Sequence, residues 1–152
     1  MVVMDFIMQN SQYPNNAIFL AFDFGMRNIG VAVGQKFTNT ATPLDIIKAK
    51  YGRPQWYEIT NLIKKWQPAA LAVGVPINLD ESENNITIAA RDFIELLHER
   101  FKLPVHSAEE RLTTKDARSR VFADAGYRGL QQEQIDSVAA KIILEGWMNQ
   151  KY

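Results

Sequence analysis

The chain has 152 residues, 47% of them apolar, and no cysteine. That length suits one domain with a real core, because a chain of about 150 residues hides roughly 70% of its unfolded surface. The missing thiols exclude a disulfide framework and a thiolate metal site, and fit a cytoplasmic location. Seventeen Lys and Arg balance 17 Asp and Glu, so the overall basic excess of nonspecific nucleic-acid binders is absent, and no stretch approaches the ~20 apolar residues of a membrane span.

Met1 to Asn16 carries no early positive charge, places Asp5 inside what would be an apolar run, and drifts into Gln, Asn and Ser. It is read as a loosely ordered extension, not a signal peptide, preceding a single domain over 17–152. Ile18 to Phe22 is an apolar run ended by Asp23, and Ile29 to Val33 is a second; Gly25 and Asn28 supply turn chemistry between them, which predicts a hairpin. Thr40 to Ile47 is a third strand, with Pro43 marking an edge or a bulge. Pro54 is expected to open a helix carrying Trp56, Ile59, Leu62, Ile63 and Trp66 at helical spacing, closed by Pro68. Ala69 to Val75 is apolar without alternation, the pattern of a strand covered on both faces. After a polar loop over Asn78 to Asn85, the stripe Ile86, Ala89, Ala90, Phe93, Leu96, Leu97 and Phe101 predicts a long helix. Pro104 to Ala108 is a short strand, Thr113 or Thr114 caps a helix to about Ala125, and a last helix begins near Gln132. A meander followed by β-α-β units implies a mixed sheet with helices packed on it.

Three acids stand where solvated structure would not place them. Asp23 ends an apolar strand, where an acid costs several kcal/mol unless paired or metal-bound. Glu110 closes the short strand at a strand-to-helix junction, where α/β sites commonly lie. Asp136 precedes Ala139, Ala140 and Ile143 by three, four and seven residues, so it borders the buried stripe of the last helix. Each has a plainer reading: a turn residue or buried salt bridge for Asp23, a pair with Arg111 for Glu110, a first-turn acid facing the helix dipole for Asp136. Taken together they form a set of hard oxygen donors of the kind that divalent cations prefer. His98 and His106 show no ligand spacing. The glycines at 25, 30 and 34 match neither a dinucleotide fingerprint nor a P-loop, and are read as turn and close-packing positions. Between Arg111 and Arg128 five bases and two acids give a net charge of +3, a solvated helix face or a phosphate-contacting surface.

Four segments in order, AFDFGMRNIGVAVG (Ala21 to Gly34), LAVGVPINLDESE (Leu71 to Glu83), EERLTTKDAR (Glu109 to Arg118) and QIDSVAAKIILEGW (Gln134 to Trp147), resemble the YqgF family, described both as Holliday-junction resolvases and as nucleases processing pre-16S rRNA. The resemblance runs from about Ile18 to Trp147. It implies an α/β, RNase H-like fold: a five-stranded mixed sheet, strands one to three antiparallel, flanked by helices. It implies catalytic and metal-binding acids at Asp23, Glu110 and Asp136, with Mg²⁺ or Mn²⁺ as the ion. It also directs Arg111, Lys115 and Arg118 toward nucleic acid, either pre-16S rRNA or branched DNA. The chain departs from the family pattern in two places: Glu109 stands where Asp is usual, and Glu81 and Ser82 follow Asp80 where Gly is usual. The competing readings are a junction resolvase, which needs a symmetric dimer, and a non-catalytic RNA- or ribosome-binding module. A strand, an acid and glycines also open phosphotransfer ATPases, but those need two such domains to enclose a nucleotide.

Overall fold

The alternation of large and small side chains along the central strands sets the architecture. A computed structural model describes residues 12–75, 85–109 and 132–149. Its elements are β1 (Ile18–Asp23), β2 (Asn28–Gln35), β3 (Thr40–Lys50), β4 (Arg53–Pro54), α1 (Trp56–Trp66), β5 (Ala70–Val75), α2 (Asn85–Phe101), β6 (Val105–Glu109) and α3 (Gln132–Met148). The strands lie in the order β4-β3-β2-β1-β5-β6. Strands β1 to β4 pair antiparallel in succession, while β5 lies parallel to both β1 and β6. The mixed sheet with three antiparallel leading strands is as expected. The loop over 78–84 and the helix expected after Thr113 lie outside the described residues.

Among the described residues the sheet has six strands instead of five, and the difference begins at β3. That strand runs to Lys50, past the predicted end at Ile47, and turns over Tyr51 and Gly52, whose φ angles are 53° and 77°. Two consecutive positive φ values suit the tight hairpin turn whose twist matches that of the strands. Arg53 and Pro54 then pair back onto Lys50 and Ala49. Pro54 therefore sits in an edge strand, where its missing N–H costs no ladder bond, and the helix opens at Trp56 instead. Pro43 pairs with Ala32, and β3 carries the bulge its proline hinted at: Ile29 faces Ile47 but Val31 faces Leu44, so Asp45 and Ile46 oppose Gly30 alone.

One face of the sheet presents Leu20, Phe22, Ile29, Val31, Leu71 and Val73 to α1 and α2, where Ile59, Phe93 and Leu97 complete a fully buried core. The other presents Phe19, Ala21, Ala32, Ala70 and Ala72 to Ala140, Leu144 and Trp147 of α3. The small residues let α3 lie close: a Cβ placed on Gly34 would fall 2.7 Å from Leu144 Cδ2. Trp147 is buried there, edge-on to Phe19 at 4.8 Å, as its helical stripe implied.

The extension is held before residue 16. Residues 1–11 lie outside the described residues, but Tyr13 is buried against Phe19 and Trp147. Its hydroxyl meets His106 Nε2 at 2.9 Å, and Lys36 Nζ donates to its carbonyl. His106, read from sequence only as a strand residue, is fully buried and its ring lies 4.7 Å from Trp147. Among the described residues no helix is long and apolar enough to cross a membrane.

Candidate active site at the carboxyl end of the central strand

Asp23 is the last residue of β1, at the middle of the sheet. It pairs with Gly30 of β2 on one side and with Gly74 of β5 on the other, which removes the plain turn reading. Gly74 in turn pairs with Ala108 of β6. Across four strands the row at this level is thus Gly30, Asp23, Gly74, Ala108. Only Asp23 carries a side chain longer than a methyl group.

The carboxylate faces α3. A Cβ on Gly74 would lie 2.3 Å from Ile143 Cδ1 and 3.6 Å from Asp23 Oδ1, so both side chains share that face. Asp23 is only 6% exposed, and its Oδ1 is a buried acceptor that receives no hydrogen bond within the described residues. A carboxylate in such a place is costly unless its environment supplies compensating charge or donors. The glycines on either side of it bring α3 close, since a Cβ at 30 or 74 would meet the Asp136 carbonyl or the Ile143 side chain.

The Asp136 backbone meets Gly30, the strand neighbour of Asp23. Asp136 is the fifth residue of α3 and half-buried, past the first turn where the helix dipole acts most strongly. Its backbone rests on Gly30: a Cβ there would lie 2.0 Å from the Asp136 carbonyl oxygen. No side chain other than hydrogen could occupy position 30 without moving the helix or the strand. Gly30 therefore touches both acids' backbones, as the cross-strand partner of Asp23 and the seat of Asp136. Strand neighbours of this kind have Cα atoms roughly 5 Å apart.

Glu110 follows the last residue of β6 and lies outside the described residues, as do Arg111, Lys115 and Arg118. The strand that leads to Glu110 is nevertheless oriented. Val105 packs in the core under α1 and α2, whereas His106 packs on Trp147 of α3, so Ala108 shares the α3 face by alternation. Among the described residues no cluster of three metal-ligating side chains occurs; of the three expected acids, Asp23 pairs with Gly30 and the Asp136 backbone rests on that same glycine. A cavity of about 400 Å³ between the Tyr51–Pro54 turn and α2, lined by Trp56, Ile88 and Leu96, lies on the opposite face and includes none of the expected site residues.

Sequence reasoning missed Ser137, whose buried hydroxyl donates to the Leu44 carbonyl at 2.6 Å, and the His106–Tyr13 pair. A signal for this close-packed face was present: Ala21-x-Asp23, Gly30-x-Ala32-x-Gly34 and Ala70-x-Ala72-x-Gly74 each place small residues at the two-residue period of one strand face.

Comparison with known proteins adds to this geometry. A family model described as "RuvX: Holliday junction resolvase" matches residues 17–150. A protein of Aeromonas hydrophila named "Putative pre-16S rRNA nuclease" is 50% identical over 133 residues, covering 88% of this chain and 95% of that one. Proteins of the same name from Legionella pneumophila and Escherichia coli O157:H7 are 49% and 50% identical over the same length. Among solved structures, Thermus thermophilus RuvC in complex with a Holliday junction substrate superposes with a TM-score of 0.54 at 15% identity, covering 84% of this chain and 91% of that one. The fowlpox virus Holliday junction resolvase does so with a TM-score of 0.51 at 14% identity, covering 86% and 96%. At such identities the likeness is one of fold, and the fold is RNase H-like.

Proposed function

The chain belongs to the RuvX family of Holliday junction resolvases, and from that premise we propose that it is a nuclease for structured nucleic acid, dependent on a divalent cation and acting on the 5′ end of precursor 16S rRNA. The observation that carries the reading is the end of β1, where a nearly buried carboxylate stands between two glycines and beneath the helix that carries a second acid. The rRNA substrate is favoured by relatives at about half identity over nearly the whole chain, all of them named for it.

Asp23, Asp136 and Glu110 are the proposed ligands, Glu110 being two residues beyond Ala108 in the chain. The donor set fits the ion: hard carboxylate oxygens suit Mg²⁺ or Mn²⁺, which retain several waters. When bound, such a cation activates water and offsets the charge that develops on phosphate oxygens. The residues of the chain hold the donors on rigid elements: Asp23 on a strand paired on both sides, Asp136 on a helix seated against β2. Arg111, Lys115 and Arg118 are the proposed phosphate contacts. Replacing Lys115 and Arg118 by Ala should lower the slope of log affinity against log salt by about 0.7 to 0.9 per lost contact.

The test is incubation of the purified protein with precursor 16S rRNA and with a four-way DNA junction, each with Mg²⁺, Mn²⁺ or EDTA. Cleavage of the rRNA that EDTA abolishes is the expected outcome. Cleavage of the junction alone would give the substrate to the second reading, Holliday junction resolution, which the description of the family model favours. Tight binding without cleavage under every metal would leave a non-catalytic RNA-binding module. Glu110→Gln should remove metal-supported cleavage and Glu109→Gln should not.

A further inference from the structure

We propose that Ser137 is a positioning residue for the cleavage reaction: its hydroxyl fixes the site end of α3 to the β3 bulge and so sets where the Asp136 carboxylate stands relative to Asp23. The inference rests on the metal-site reading of Asp23 and Asp136 given above.

Three observations meet at one point. Gly30 is the cross-strand partner of Asp23 and the seat of the Asp136 backbone, with no space for a Cβ. The bulge in β3 lies opposite the same Gly30, with Leu44 directly before it. Ser137, next to Asp136 and buried, donates its hydroxyl to the Leu44 carbonyl at 2.6 Å. A bulge locally breaks a strand ladder and re-aims its groups, and here the carbonyl before it is directed at the helix instead of along the sheet. Gly30 sets how deep the helix lies. The hydroxyl sets its rotation and its position along the strand.

The helix has a second tether that serves as an internal control. Glu145 Oε2 accepts a hydrogen bond from the Ala41 N–H at 3.0 Å. Ser137 and Glu145 thus bind the same helix to the same strand, but Glu145 lies eight residues further on, about 12 Å along the axis. Both tethers hold the helix on the sheet; only the first adjoins an acid of the site.

The experiment uses the full chain as wild type and as Ser137→Ala, Glu145→Ala and Asp23→Asn. Mn²⁺ affinity is measured by calorimetry, thermal midpoint without metal by circular dichroism, and kcat and KM on the cleaved substrate. Ala is a better helix former than Ser, so Ser137→Ala does not weaken the helix itself. It should bind Mn²⁺ at least tenfold more weakly and lose kcat with KM within twofold of wild type. Glu145→Ala should lower the thermal midpoint by a similar amount and leave Mn²⁺ affinity within twofold. Wild-type Mn²⁺ affinity in Ser137→Ala overturns the proposal, and so does an equal loss of affinity in Glu145→Ala, which would make the hydroxyl one more general tether. Asp23→Asn separates the two layers. If it binds Mn²⁺ as wild type does, the metal-site reading fails and this inference with it. If it loses Mn²⁺ while Ser137→Ala does not, the metal site stands and only the positioning role falls.

Discussion

The two faces of the sheet solve different problems with the same backbone. Under α1 and α2 the strands bury Leu20, Phe22, Ile29, Val31, Leu71 and Val73 against Phe93 and Leu97, and stability comes from apolar area removed from water. Under α3 the strands offer Ala and Gly, and the helix is located by close backbone approach and by two hydrogen-bonded tethers. The lesson is a division of labour. A face filled with large side chains holds its helices through many apolar contacts. A face with a glycine floor specifies one position of its helix, and this is the face that carries Asp23 and packs against the helix of Asp136.

That contrast can be broken from either side. The largest effect on stability should come from Phe93→Ala, which opens a cavity between α2 and the sheet where Phe22, Phe24 and Trp56 pack on the ring. A loss of about 3–5 kcal/mol is expected in denaturant unfolding, with Mn²⁺ affinity unchanged under conditions where the variant is folded. Weaker Mn²⁺ binding in the folded variant would mean that the α2 face also governs the site.

Gly30→Ala is the counterpart on the other face. Its new methyl group would overlap the Asp136 carbonyl, and overpacking of this kind costs roughly 1–3 kcal/mol. The stability loss should therefore be smaller than for Phe93→Ala, yet Mn²⁺ binding and cleavage should both vanish. Retained cleavage would show that the depth of α3 is not what the site requires.

Asp23→Asn should abolish metal-dependent cleavage while leaving the metal-free protein as stable as wild type or more so, because a functional carboxylate held in a buried place is often a source of strain. Denaturant midpoints with and without Mn²⁺ make the comparison. A sharp fall in metal-free stability would return Asp23 to the role of a structural ion pair.

The smallest effect belongs to Tyr13→Phe, which removes the hydroxyl facing His106 and keeps the ring against Phe19 and Trp147. A loss of about 1 kcal/mol is expected from one hydrogen bond, with cleavage unaffected. Truncations of the N-terminus should be neutral in their effect on stability only if they stop before Tyr13.

The sequence alone determined the order of the described elements other than β4, because periodicity is local: two-residue alternation, an uninterrupted apolar run in β5 and helical stripes in α1, α2 and α3 can each be read within one segment. It also marked Asp23 as an anomaly, since an acid ending an apolar strand violates a local pattern, and it identified the family through four motifs in order. What it could not decide was which face each strand turns toward which helix. That is fixed by pairing between residues far apart in the chain, such as Asp23 with Gly30 and Gly74, and Leu44 with Ser137. The sixth strand escaped for the same reason, since Arg53 and Pro54 form a strand only by returning onto Ala49 and Lys50. Tyr13 looked loosely held because nothing beside it in sequence explains its burial; His106, 93 residues away, does. Ser137 read as one polar residue in a helix, and only the tertiary structure showed that its hydroxyl reaches the bulge beneath the neighbouring acid, because a hydrogen bond is set by distance in space and leaves no period in the chain.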